Sequence, residues 1–82
     1  MRIMIEMSAD NYDCLLGKLS EESVAYAILK NGIASGSNED RIIQIVCEMT
    51  QAMTLLQVAR ELFPPAAPQL QESIGLARVL RA

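Results

Sequence analysis

The side chains of this sequence that could carry catalysis or hold a metal are carboxylates, two thiols and two phenols. The chain has no histidine, which excludes Ser-His and Cys-His nucleophilic pairs and metal sites that need an imidazole. Cys14 and Cys47 do not have the spacing of a C-x-x-C redox motif, and two thiolates are too few for a structural zinc site. We therefore expect no catalytic residue, no metal site and no cofactor, and predict that the protein is not an enzyme.

The carboxylates allow one further hypothesis. Glu6 and Glu48 each end a predicted strand and would lie side by side if the two strands were neighbours. Two close carboxylates can share a proton or bind a cation. We favour the simpler interpretation that both point into solvent. Asp10 and Asp13, on one turn of a predicted helix, are interpreted as an acid at the helix start and a solvated residue.

The aromatic and sulfur-containing residues indicate packing more than chemistry. Tyr12 shares a helical face with three leucines and is predicted to lie at the edge of the core. Tyr26 lies off the apolar face of its helix, which makes it the aromatic residue that would mark an interface. The five methionines are interpreted as core filler, with a Met-lined binding surface as the alternative.

Size and charge limit the classes of partner. A chain of 82 residues forms one domain, here residues 1–82, with a thin core. The net charge is −3, from ten acidic and seven scattered basic residues, so neither nucleic acid nor an anionic membrane surface is expected as a partner. Because no apolar run approaches the ~20 residues that span a bilayer and the two cysteines are predicted to be reduced, the expected location is the cytoplasm.

Local patterns predict a β-α-α order in the first half of the chain. Residues 2–7 favour a strand, and Ser8 is a helix N-cap before an apolar face that contains Leu15 and Leu16. Ser20 is predicted to start a second helix that ends at Lys30-Asn31-Gly32. Its predicted inner face consists of Val24, Ala27 and Ile28, widened by Ala25 and Leu29. Ile33-Ala34 is a possible edge strand before a loop over 35–40.

The segment 41–63 has two interpretations. As part of one long helix over 38–63, it presents a seam with coiled-coil-like spacing, and the protein would be all-α. As two pieces, it forms a β-branched strand over 41–48 and a helix over 51–63 capped by Thr50. An internal echo favours two pieces: Glu-Met-Ser at 6–8 resembles Glu-Met-Thr at 48–50, and each is followed by a Leu-Leu pair.

The remaining signals complete the predicted architecture. Pro64-Pro65 ends the helix over 51–63, and a last helix is predicted over 69–81 with Leu70, Ile74, Ala77 and Leu80 facing inward. The result is a small, helix-rich α+β domain of order β-α-α-β-α-α. Its two- or three-stranded sheet would be covered by helices.

These elements predict self-association. A two-stranded sheet is seldom stable alone and leaves exposed edges, and a spare apolar set of Val58, Leu76 and Val79 would remain outside the core. We therefore expect a non-catalytic interaction or assembly module, a homodimer acting as adaptor or regulator, with another protein as a possible partner. The dimer would form either by joining two sheets edge to edge or by packing the helices over 51–63 along their seam. The alternative is a binder of an apolar or amphipathic ligand in a Met/Leu-lined cleft. The candidate interface residues are Tyr26, Met49, Met53, Leu56, Val58 and Phe63.

Overall fold

The computed structural model describes residues 1–35, 41–77 and 79–80. The elements, in chain order, are β1 (Arg2–Ser8), α1 (Ala9–Gly17), α2 (Val24–Lys30), β2 (Ile33–Ser35), β3 (Ile42–Glu48), α3 (Met49–Leu62), α4 (Ala67–Leu76) and β4 (Val79–Leu80). The predicted α+β class and the β-α-α-β-α-α order are confirmed. A short strand follows the second helix of each half, so the sheet has four strands among the described residues.

The sheet is antiparallel, with strand order β2-β3-β1-β4. Its central pair, β1 and β3, runs in register from Arg2 opposite Glu48 to Ser8 opposite Ile42. Alternate side chains of both strands are buried, and these are the β-branched and sulfur-containing residues that favour a half-buried strand. The buried set is Ile3, Ile5, Met7, Ile43, Ile45 and Cys47.

The two halves of the chain are related by an approximate two-fold axis through the central pair. Ile5 lies opposite Ile45, and the two strands have the same pattern of buried and exposed residues. The backbone N–H of Ala9 donates to Arg41 O (3.1 Å), and the equivalent N–H of Met49 donates to Met1 O (2.9 Å). The axis also relates the outer strands, because β2 pairs with β3 and β4 pairs with β1. Each half therefore gives its last strand to the first strand of the other half.

This symmetry explains the internal echo in the sequence and corrects its alignment. The pairs Leu15-Leu16 and Leu55-Leu56 occupy equivalent places in α1 and α3. Ser8 corresponds to Glu48, because both are N-caps that directly follow a central strand. The match between Glu-Met-Ser and Glu-Met-Thr is therefore out of register and is a coincidence of residue types.

The N-cap of α1 is the predicted residue, whereas that of α3 is not. At α1 the Ser8 cap is confirmed, since its Oγ accepts a hydrogen bond from Asn11 N at 3.2 Å. At α3 the predicted Thr50 cap is wrong. Glu48 and Gln51 form a reciprocal capping box, in which Glu48 N donates to Gln51 Oε1 at 2.9 Å, so the helix begins at Met49.

The second helix begins later than predicted, and its buried face differs in part from the predicted one. Ser23, not Ser20, is the N-cap, with its Oγ accepting from Tyr26 N at 3.1 Å. Val24 is 64% exposed and Ala27 is also exposed, so their predicted inward orientation is wrong. The buried face consists of Ala25, Ile28 and Leu29. Two serines that both precede a helical pattern compete as caps, and packing decides between them.

In the last predicted helix and in the 41–63 segment, residues with a helical pattern form strands instead, because they pair with β1. The predicted helix over 69–81 ends at Leu76, and Val79–Leu80 instead pair with Ile3 and Arg2 at the outer edge of β1. The alternative of one helix over 38–63 is wrong, because residues 42–48 form β3. The predicted edge strand at Ile33-Ala34 is confirmed as β2. Residues 36–40 of the predicted loop lie outside the described part of the chain.

The core lies between one face of the sheet and the buried sides of the helices. Leu15 of α1, Leu29 of α2, Leu55 of α3 and Leu70 of α4 are all completely buried in it. The end of α3 is set by the proline pair that follows, as predicted, and a 3₁₀ turn over Pro64–Ala66 connects it to α4. Within the described ranges, none of the helices has the length and apolar character needed to cross a bilayer.

Candidate functional site

The sheet has one face that the helices do not bury. This open face comprises the side chains on β1, β2 and β3 that alternate with the core residues: Arg2, Met4, Glu6, Ser8, Ile33, Ile42, Gln44, Val46 and Glu48. All of them are partly or fully exposed, and four of the nine are apolar. Ile33 is 67% exposed although it is a large β-branched residue. The open face is therefore the surface of the sheet available to a ligand or a partner.

The acidic residues of the open face are distributed differently from the carboxylate hypothesis. Glu6 lies opposite Gln44, whose Nε2 donates to Glu6 Oε1 at 3.4 Å. Glu48 lies opposite Arg2 at the far end of the pair, with its Oε2 2.7 Å from the amino nitrogen of Met1. Because antiparallel strands place their ends at opposite sides of a sheet, the proposed side-by-side arrangement of Glu6 and Glu48 is wrong.

Strand β4 pairs only with Arg2 and Ile3 at the outer edge of β1. Helix α4 runs along the rest of this edge and supplies hydrogen-bond acceptors there. The backbone N–H of Glu6 donates to Ser73 Oγ at 2.7 Å, and that of Ser8 donates to Gln69 Oε1 at 2.9 Å. Gln69 Oε1 also accepts from Asn11 Nδ2 at 3.0 Å. These side chains satisfy edge groups that would otherwise be open to pairing with another chain, and they fix α4 beside the open face.

A cleft of about 520 Å³ lies between α4 and the open face, within the ~300–1,000 Å³ range of small-molecule sites. Leu76 forms part of its wall and is 75% exposed. The lining combines apolar side chains with hydroxyls, an amide and two carboxylates. The described lining residues are Met4, Glu6, Met7, Ser8, Ile42, Gln69, Glu72, Ser73, Leu76 and Ala77.

The candidate interface residues on α3 lie mostly against the core. Leu56 is only 3% exposed, so its side chain cannot reach a partner in this conformation. Met49 and Val58 are partly buried and pack against the core, as does Phe63 just after the helix. Met53 is 50% exposed and is the most accessible member of the set. The predicted seam therefore contributes its central leucine to the interior of the chain.

Tyr26 is the candidate interface residue on α2. Its side chain is partly buried, and Lys30 Nζ lies 5.6 Å from the centroid of its ring, a cation–π distance. Tyr26 therefore contacts Lys30, which lies one turn later in the same helix.

The two cysteine thiols differ in their exposure to solvent. Both cysteines are free thiols, Cys14 exposed and Cys47 buried. Burial, with a smaller effect from the Glu48 carboxylate, raises the pKa of the Cys47 thiol, which reduces its reactivity as a nucleophile. Among the described residues, no three Cys, Asp or Glu side chains are grouped closely enough to hold a metal ion.

The cleft residues are the part of the site that sequence reasoning missed. Strand alternation in β1 already placed Met4 and Glu6 on the side opposite the core residues. Leu76 was recognised as apolar and unassigned. Ser73 had no local signal, since its role depends on the approach of α4 to β1.

No protein-family model, no curated protein and no solved structure matches the chain. The inference of a function therefore rests on the geometry described above.

Proposed function

We propose that this protein is a non-catalytic interaction module that forms a homodimer through the open face of its sheet. The observation that carries the proposal is the exposure of apolar side chains, Ile33 above all, on a sheet face opposite the core. Apolar side chains gain about 25 cal/mol per Å² when they are removed from water. A second copy offers the same surface, and two sheets pack face to face at about 10 Å.

This interface differs from the two dimer modes expected from the sequence. An edge-to-edge dimer would have to use one of the two edge strands, and β2 has only three residues and β4 only two. The rest of the outer edge of β1 is occupied by Ser73 and Gln69. A helix seam centred on Leu56 would require a side chain that is buried in the core. The open face needs no rearrangement of either element.

The test is the solution mass, measured by size-exclusion chromatography with light scattering over a dilution series. We expect a dimer, and we expect Ile33→Lys to shift it to monomer while the circular dichroism spectrum is unchanged. Val24→Lys is the matched control, because Val24 is 64% exposed, close to the 67% of Ile33, but lies on α2, away from the sheet face. A monomeric wild-type protein would refute the proposal, and so would a dimer that Ile33→Lys leaves intact.

The cleft favours a second candidate function, the binding of a small amphipathic ligand. Its volume of about 520 Å³ and its lining of Met4, Met7 and Leu76 beside polar groups support this candidate. Thermal stabilisation by such a ligand, lost in Leu76→Asp, is the expected result. The exposed position of Leu76 means that this substitution spares the core.

A further inference from the structure

Resting on the second candidate function, we infer that the cleft between β1 and α4 selects ligands with a cationic head and an apolar body, such as alkylammonium ions. The inference follows from the state of the polar groups that line the cleft. The neutral acceptor oxygens are already used by the fold, and the acceptors that remain carry negative charge.

The neutral side-chain acceptor oxygens of the cleft already accept internal hydrogen bonds. Ser73 Oγ and Gln69 Oε1 accept from the β1 backbone at 2.7 and 2.9 Å. Ser8 Oγ accepts from Asn11 N at 3.2 Å as the cap of α1. A ligand that used these acceptors would have to compete with contacts that hold α4 and α1 in place, so they are poor anchors for a ligand head group.

The carboxylates of Glu6 and Glu72 are the acceptors that remain. Glu6 receives one long contact from Gln44 at 3.4 Å. Neither carboxylate belongs to an ion pair formed within the described ranges, where the pair observed joins Met1 and Glu48. None of the lining residues that the structure describes carries a positive charge. The charge of the described lining is therefore complementary to a cation.

The apolar part of the lining determines the rest of the ligand. Met4, Met7 and Ile42 lie on the strand side of the cleft, and Leu76 and Ala77 lie on the α4 side. Methionine side chains adapt to unbranched chains of different length. An alkyl chain can lie between these two sides while its ammonium group contacts the carboxylates. A metal ion or an inorganic cation would gain nothing from the apolar lining.

The experiment compares three eight-carbon probes that differ in head group: octylammonium, octanol and octanoate. Binding to the intact chain is measured by calorimetry and by NMR shifts of the Met4 and Leu76 methyl groups. We expect octylammonium to bind about fivefold to tenfold more tightly than octanol, the order expected of two partly exposed ion pairs, and octanoate to bind most weakly. The preference should decrease as salt is added.

The variants Glu6→Gln and Glu72→Gln should each reduce the preference for octylammonium, and together they should abolish it. Glu61→Gln is the matched control, because it removes one exposed carboxylate from α3 outside the cleft and should leave binding unchanged. Equal binding of all three probes would overturn the cation inference and leave the ligand cleft standing. Absence of binding by every probe would overturn both.

Discussion

Gly32 is the position where a single added methyl group should be most harmful. It follows α2 and precedes β2, and a Cβ atom there would lie 2.6 Å from Ile43 Cγ2. It would also lie 3.0 Å from the carbonyl oxygen of Leu29 and 3.2 Å from Tyr12 Cε2. Carbon atoms in contact are normally separated by about 3.5–4.0 Å, so the Ile43 methyl group would have to move by about an ångström.

The surroundings of Gly32 have little freedom to make that movement. Ile43 is buried in β3. The Leu29 carbonyl accepts two hydrogen bonds, from Gly32 N at 2.9 Å and from Tyr12 Oη at 2.7 Å. We therefore expect Gly32→Ala to lower the free energy of unfolding by about 1–3 kcal/mol, as overpacking of a core does.

Gly75 provides the matched control, because the same change should have the opposite sign there. It lies exposed in α4, and a Cβ atom would meet nothing within 4 Å. Gly75→Ala should raise the free energy of unfolding by about 0.4–1 kcal/mol through helix propensity and a less flexible unfolded chain. Urea unfolding followed by circular dichroism measures both changes. Equal stability of Gly32→Ala and the wild type would show that the close approach of α2, α1 and β3 is wrong.

Two further predictions concern the partly buried phenol of Tyr12 and the buried thiol of Cys47. Tyr12→Phe should lower the free energy of unfolding by about 1 kcal/mol in urea titrations, because it leaves the Leu29 carbonyl with one hydrogen bond fewer. Burial raises the pKa of the Cys47 thiol, so Cys47 should react with a disulfide reagent much more slowly than exposed Cys14 until the protein unfolds; equal rates would contradict its burial. Since the folded pKa of Cys47 lies above the unfolded one, this thiol adds stability below the ordinary value of 9.0. That stability is lost as the pH rises through the folded pKa, which Cys47→Ala should show as a weaker loss of stability at alkaline pH.

Local signals were sufficient for the central strands, for the start of α1 and for the ends of α2 and α3. The alternation in β1, the β-branched run in β3, the Ser8 cap and the proline pair after α3 each have a short-range physical cause. β4 could not be predicted, because Val79–Leu80 become a strand only by pairing with the distant Ile3 and Arg2. The start of α2 failed for a different reason, since Ser20 and Ser23 are equivalent caps in sequence terms and only packing distinguishes them.

The candidate site was less predictable than the fold for a related reason. The open face follows from alternation in β1 and β3 once their pairing is known. The cleft requires α4 to lie along β1, and that depends on Ser73 and Gln69 meeting the backbone of Glu6 and Ser8. Contacts between residues so far apart in the chain leave no periodic pattern in either segment. Leu56 was assigned to an interface because heptad spacing looks the same whether a helix faces a partner or its own core.

The exchange of outer strands between the two halves has a consequence for the order in which the protein can be made. The strand that completes the edge of β1 is β4, the last element of the chain, and the strand that completes β3 is β2 from the other half. A ribosome that has released only β1, α1, α2 and β2 has therefore produced a segment with no partner for either of its strands. The first half therefore cannot form its share of the sheet until β3 has been synthesised, because β1 and β2 both pair with β3.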